Sequence, residues 1–378
     1  MLPGLSGNAS YQLSPANNSL SGLGEDINHS MRYSLSANWT AFSGTSILTG
    51  IEKSEAELNR SSLYLRRSKN EVIIAVAQTY IDVLFAQETV LSAQRALQSS
   101  QTQYERTMSL REAGSASAVD VAGMRSQFAQ DKYQLVVARN NQNSKELILK
   151  QLLELTDDSE PFSVVSPFGD SLTLMELPTQ EAFISAVLDS MPDLQIAHLG
   201  VDIARLQLRQ SQSGYLPTLS LSAGISLSQS MGGTMNSPDG SDRLSTSAGA
   251  QLSVPILDKR RNRTAVEQAS IGIEKAELEL ESARRNLEQS AQTVYQNAAA
   301  ARARLEAAQE RLAAAGAIRD LANEQYTLGI IHPSELLVQK NAFSAAESEF
   351  LQAKYSALLY SGLLNVYRGH TADILNME

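Results

Sequence analysis

The sequence predicts a mostly α-helical protein with a small β part, in which long antiparallel coiled-coil helices carry four amphipathic strands per chain. Three observations predict it. Features recur 215 residues apart, each half holds a proline-free stretch of nearly 70 residues, and each half opens with a pair of alternating segments.

The repeat comes first because it organises the rest. Tyr80 meets Tyr295, inside Ala77-Gln78-Thr79-Tyr80 and Ala291-Gln292-Thr293-Val294-Tyr295. Gly114 meets Gly329, Asp120 meets Glu335, and Leu2-Pro3 meets Leu216-Pro217 after a slip of one residue. Residues 1–160 are read as the first repeat, 161–179 as a connecting segment with Pro161, Pro167 and Pro178, and 180–378 as the second repeat. Only the second repeat has a leader helix, about Gln180 to Tyr215, so the first copy is expected to have lost its leader together with any signal peptide.

Each repeat then opens with two strands. In the first, Leu5, Gly7, Ala9, Tyr11 and Leu13 alternate with polar residues, followed by Met31, Tyr33, Leu35, Ala37 and Trp39. In the second, Leu219 to Leu227 alternate with serine and glycine, and a further strand is expected near Ala248 to Val254. A period of two gives each strand one apolar and one polar face. The stretches between, Ser14 to Ser30 and Gln229 to Arg243, are rich in Asn, Gly, Ser and Asp and read as exposed loops. Trp39 and Tyr33 suit either a membrane interface or ordinary strand packing.

A long helix follows in each copy, from about Thr45 to Glu112 and between Pro255 and Pro333. Positions 287, 291, 294, 298, 301, 305, 308, 312 and 315 are Leu, Ala, Val, Ala, Ala, Leu, Ala, Leu and Ala, a heptad seam. At about 1.5 Å per residue such a helix is on the order of 100 Å long, too long for a globular interior. A glycine turn and a return helix of about 35 residues complete each copy.

Composition narrows the function. A net charge of −10 argues against nucleic acid as a partner. There is no cysteine, so no disulfide or thiolate metal site. His29, His198, His332 and His370 lack zinc spacing, and no P-loop, dinucleotide fingerprint or nucleophile elbow occurs. No enzyme, cofactor or metal is expected. Four amphipathic strands of membrane-crossing length need a closed barrel, most simply through three protomers giving twelve strands. A non-pore coiled-coil scaffold, or an adaptor protein, is the alternative.

Specific motifs then carry a resemblance. The run Ala186-Val187-Leu188-Asp189-Ser190-Met191-Pro192-Asp193-Leu194 leads, after about twenty residues, to Tyr215-Leu216-Pro217-Thr218-Leu219-Ser220-Leu221. Together with Leu252-Ser253-Val254-Pro255-Ile256-Leu257-Asp258, it resembles the TolC family of outer-membrane efflux and secretion channels. Gly114 to Val121 and Gly329 to Leu336 look like that family's two helical-hairpin tips. The resemblance implies a homotrimer in outer-membrane lipid, with a helical tunnel in the periplasm. It also implies a periplasmic adaptor (membrane fusion) protein and an inner-membrane pump as partners, the pump supplying the energy.

The same resemblance implies roles for single residues. Asp120 and Glu335 would face the tunnel constriction, although Ser117-Ala118-Val119-Asp120 also reads as a capping box and Pro333 as a first helical residue with Glu335 two positions on. Tyr326 matches a position that holds the closed tip together, against an ordinary helix-packing role. Its counterpart Arg111 makes the tips chemically unequal. Ile330 and Ile331 stand where the family has a basic partner, so the gating network is expected to differ. Gly114 and Gly329 would be adaptor-docking turns, and as glycines they suit a positive φ.

Overall fold

The computed structural model describes residues 3–15, 27–155, 162, 164–165, 176–231 and 241–370. Its elements run β1 (Gly4–Pro15), β2 (Ile27–Ser43), α1 (Ser46–Glu112), α2 (Ala118–Leu152), α3 (Gln180–Ser190), α4 (Pro192–Gln212), a short 3₁₀ turn (Ser213–Tyr215), β3 (Thr218–Met231), β4 (Ser241–Ser253), α5 (Arg261–Thr327) and α6 (Pro333–Tyr367). The chain divides into two compact units: residues 1–60 with 197–280, and residues 61–196 with 281–378.

The first unit is built on one antiparallel sheet in the order β1-β2-β3-β4. Alternation sorts its side chains. One face carries Tyr11, Tyr33, Leu35, Trp39, Leu221, Ile225, Leu244 and Leu252, all largely exposed. The other carries serine, with cross-strand hydroxyl pairs Ser6–Ser36 (2.9 Å) and Ser226–Ser245 (2.7 Å). A bulge between Thr40 and Phe42 absorbs Ala41, and this inversion keeps Phe42 opposite Leu219 on the apolar face. The fourth strand starts at Ser241, earlier than expected, because pairing with β3 continues past the last small apolar residue through Arg243. The loops expected at 14–30 and 229–243 fall largely outside the described residues, and their described ends are strand.

Strand passes to helix through backbone in the left-handed region. Gly44 (φ 61°) precedes α1 and Lys259 (φ 54°) precedes α5, 215 residues later. At the second crossing the Asp258 carboxylate accepts the Asn262 amide (2.7 Å), and the Asn262 side chain donates to the Gly214 carbonyl (2.6 Å). The helix of nearly 70 residues expected between Pro255 and Pro333 runs from Arg261 to Thr327, 67 residues.

The second unit is helical, and its core is made of small clusters rather than one interior. Phe183 and Val187 of α3 and Met191 just after it meet Leu287, Ala291 and Ala298 of α5 and Leu364 of α6. Ala301 and Leu305 of α5 meet Ala353 and Ala357 of α6. The heptad seam is thus the buried stripe of α5, with alanine letting the helices approach closely. Ile81 and Leu84 of α1 meet Tyr355 and Leu358 of α6, and Val90 of α1 meets Leu135 and Ala138 of α2. The leader read as one helix is two, α3 and α4. Pro192 lacks the N–H that would continue α3 and instead starts α4 at its first position.

The expected connecting segment 161–179 lies mostly outside the described residues, but its described parts are held by the two repeated tyrosines. Tyr80 donates to the Val165 carbonyl (2.6 Å) and Tyr295 to the Pro178 carbonyl (3.0 Å). Among the described residues no helix is long and apolar enough to cross a membrane.

Gly44 gives a test of the strand–helix crossing. A Cβ there would lie 2.7 Å from Leu216 Cδ1 and 2.8 Å from Leu216 Cβ, in a backbone conformation unfavourable to alanine. Gly44→Ala is expected to destabilise the protein by about 1–3 kcal/mol, read as a lowered thermal midpoint. Adding Leu216→Ala should remove the overlaps with Cδ1 and Cγ but leave the one with Cβ and the backbone strain, and so restore only part of the loss.

Candidate functional site

The second unit ends in two helical turns, each built by its own sequence. At the end of α1 the Gly114 amide bonds to the Arg111 carbonyl (2.9 Å) and the Ser115 amide to Leu110 (2.7 Å). At the end of α5 Gly329 bonds to Tyr326 (3.1 Å) and Ile330 to Gln325 (2.9 Å). Both are Schellman caps, and they require the left-handed glycines observed, Gly114 at φ 74° and Gly329 at φ 73°. Nothing lies within 4 Å of where a Cβ would sit on either glycine, so the backbone alone demands them.

The two acidic residues differ in their commitments. Asp120 is held in a capping box at the start of α2: its carboxylate accepts the Ser117 amide (3.0 Å) and hydroxyl (2.6 Å), and the Ser117 hydroxyl accepts the Asp120 amide (3.1 Å). These Ser117 hydrogen bonds hold the carboxyl below its ordinary range, with a smaller contribution from the charge of His332. Glu335 sits in the first turn of α6, after Pro333, where the helix N-terminus favours an acid. Its side chain is exposed and, among the described residues, accepts no hydrogen bond.

Tyr326 is buried beneath the second turn with Ala322 and Leu336, and Ile331 packs against them. Its hydroxyl lies 2.9 Å from Thr107 Oγ1. Thr107 already gives its own proton to the Gln103 carbonyl (2.8 Å), so Tyr326 is the donor and α5 is tied to α1. The Arg106 guanidinium stands 5.7 Å from the Tyr326 ring centroid. Its counterpart Arg111 is exposed. The structure thus gathers Tyr326, Leu336, Thr107 and Arg106 around the second turn, whereas Asp120 and Glu335 make no direct contact with each other among the described residues.

Thr107 and Arg106 went unmarked in the sequence because their partner lies more than two hundred positions away. A cavity of about 200 Å³ among α1, α2, α5 and α6 went unmarked for the same reason; its lining includes the polar side chains Ser92, Ser99, Gln103, Asp131, Lys340 and Glu347. Lys340 donates to Ser99 Oγ there (2.6 Å), and burial pushes its amine down to about 8.

Asp120 yields a prediction with a definite sign. Its folded-state value lies below its ordinary 3.8, so its cap contributes fully above that value and is lost as pH falls through the lowered folded value. Protection of the Ser117–Asp120 amides against hydrogen exchange should fall with acidification below about pH 4. Asp120→Ala should weaken the cap by about 1 kcal/mol and abolish that acid dependence.

Comparison with known proteins places this architecture. The profile of the family described as "Outer membrane efflux protein" matches residues 1–154 and 183–361. Alkaline protease secretion protein AprF of Pseudomonas aeruginosa is 26% identical over 221 residues, 58% of this chain and 44% of that protein. Outer membrane protein TolC of Escherichia coli is 27% identical over 205 residues, 52% of this chain and 41% of that protein. The chain thus aligns with less than half the length of these curated relatives. Among solved structures, the CmeC outer membrane channel of Campylobacter jejuni superposes with a TM-score of 0.76 at 17% identity, covering 100% of this chain and 79% of that one. The open-state MtrE outer membrane channel of Neisseria gonorrhoeae gives a TM-score of 0.74 at 17% identity, covering 98% and 80%. With the profile spanning both strand pairs, both long helices and both turns, the chain belongs to the outer membrane efflux protein family.

Proposed function

We propose that the protein is the outer-membrane exit duct of a tripartite efflux or type I secretion system, a passive conduit rather than an enzyme. The observation that carries this reading is the four-stranded sheet, with one exposed apolar face and two outer edges, β1 and β4, that have no strand partner among the described residues. In lipid an open edge leaves N–H and C=O groups unsatisfied at several kcal/mol each. With four strands alternating in direction, β4 of one copy can pair antiparallel with β1 of the next. Three copies then close a twelve-stranded barrel of homotrimeric symmetry. The apolar face would meet outer-membrane lipid and the serine face would line a wet lumen.

The helical unit would extend into the periplasm as the tunnel. Its two turns, at Gly114 and Gly329, are the surfaces assigned to a periplasmic adaptor that couples the duct to an inner-membrane pump. Asp120 and Glu335 would ring the constriction in three copies each, and the unpaired Glu335 is better placed to meet passing ions than the capped Asp120. Tyr326, tied to Thr107, would hold the second turn against α1 in the closed state.

The repeat boundaries, 1–160 and 180–378 about a connecting segment at 161–179, belong to the same reading. They are supported by equal helices of 67 and 35 residues in each half. Left-handed positions also pair across the halves: Gly44 with Lys259, Gly114 with Gly329 and Glu154 with Gly369.

Native mass in detergent is the test. A particle of three times the 41.0 kDa chain, dispersed only by detergent, is the expected result. A monomer that stays in solution without detergent would overturn the duct and favour a non-pore scaffold or adaptor. For the constriction, Glu335→Gln should lower cation preference in planar-bilayer recordings by about twofold or more, and an unchanged preference would remove the residue from the pore.

A further inference from the structure

Two arginines stand on the serine face of the sheet, and nothing in the duct reading accounts for them. On β2, Arg32 falls in step with Ser34, Ser36 and Asn38, away from the apolar Met31, Tyr33 and Leu35. On β4, Arg243 falls in step with Ser245 and Ser247, away from Leu244. The register brings them into one row: Ser10 of β1 pairs with Arg32, Arg32 with Ser228 of β3, and Ser228 with Arg243. With neighbouring strands about 4.8 Å apart, the two arginine Cα atoms lie about 10 Å from each other across one serine.

Three further facts make the row distinctive. Among the described side chains of the four strands, Arg32 and Arg243 are the only Asp, Glu, Lys or Arg. Among the described residues neither has an ion-pair partner, and both are exposed. The row also lies at the end of the sheet where the β1–β2 and β3–β4 connections are made, far along the strands from α1 and α5. Two unpaired cations on a face otherwise made of hydroxyls, amides and glycine are not required for pairing or solubility there.

We propose that Arg32 and Arg243 form a cationic ring at the mouth of the barrel, favouring solutes that carry an anionic group (carboxylate, sulfonate or phosphate ester) over cations. The proposal rests on the duct reading, which puts the serine face in the lumen and multiplies the pair threefold. Guanidinium groups keep their charge at any working pH and can fork onto an oxyanion, with the Ser10 and Ser228 hydroxyls beside them. Fixed charges lining a narrow aqueous path raise the local concentration of the opposite ion and depress that of the same sign. The effect fades once the screening length falls below the radius of the path, so it belongs to low ionic strength.

The experiment is the reversal potential of the reconstituted full chain in planar bilayers, across a KCl gradient at low ionic strength. Wild type is compared with Arg32→Ser/Arg243→Ser and with Arg32→Lys/Arg243→Lys. The carboxylates nearby in sequence, Glu25, Asp26, Asp239 and Asp242, stay constant throughout. The serine pair, matching the face it joins, is expected to raise the potassium-to-chloride permeability ratio by about threefold or more. The lysine pair is expected to keep the wild-type ratio, and a conducting serine variant with an unchanged ratio overturns the ring. A lysine pair shifted as far as the serine pair overturns it too, since charge would then not be the cause. Wild-type protein that forms no conducting pore overturns the duct reading and this one with it, an outcome distinct from a pore whose selectivity ignores the arginines.

Discussion

Backbone hydrogen bonding at the two outer strands is the constraint on which the rest of the molecule depends. Within the sheet β2 and β3 satisfy each other and their neighbours, but among the described residues β1 and β4 each have a partner on one side only. Water can satisfy the free groups on a soluble protein, and hydrocarbon cannot. The apolar face formed by Tyr11, Tyr33, Leu35, Trp39, Leu221, Ile225 and Leu252 excludes the first solution, since it would expose a large contiguous patch to water. In the proposed duct, closure by further copies would resolve both problems together. Alternating strand direction makes that closure geometrically simple.

The same economy governs the helices. In a folded protein a 67-residue helix draws most of its stability from packing rather than propensity, so each long helix gains from a neighbour along its length. The clusters meet that need with small residues. Ala291, Ala298 and Ala301 on α5 and Ala353 and Ala357 on α6 are buried, and their lack of bulk brings backbones close enough for many weak contacts. Among the described residues the buried aromatics are Phe183 where α3 meets α5, Tyr355 between α1 and α6, and Tyr326 under the second turn. The exposed ion pairs along these helices, such as Lys145–Asp82 at 2.7 Å, add little by comparison.

Much of this was legible in the sequence, for a physical reason. Alternation and heptad spacing are local patterns imposed by the backbone, so Leu219 to Leu227 and Leu287 to Ala315 announced their elements directly. The capping box at Ser117 and Asp120 spans four residues and was equally plain. What stayed hidden depends on partners distant in the chain. The early start of β4 comes from pairing Arg243 with Ser228, not from any apolar pattern of its own. The leader read as one helix from about Gln180 breaks at Pro192, where α3 has ended and α4 begins. The donation from Tyr326 to Thr107 and the cavity around Lys340 are likewise products of packing.

The central ladder also has a history written into it. The outer pairs, β1 with β2 and β3 with β4, join residues close in sequence, whereas β2 and β3 pair Tyr33 with Leu227 across the whole first helical hairpin. Closing so long a loop carries an entropy that local hairpins avoid, and it delays the contact relative to them. No more than two strands can align until synthesis has passed the third, by which time α1 and α2 already exist. The four-stranded sheet can therefore complete only after the first helical hairpin has been made, so its apolar face is assembled with that part of the helical unit already present.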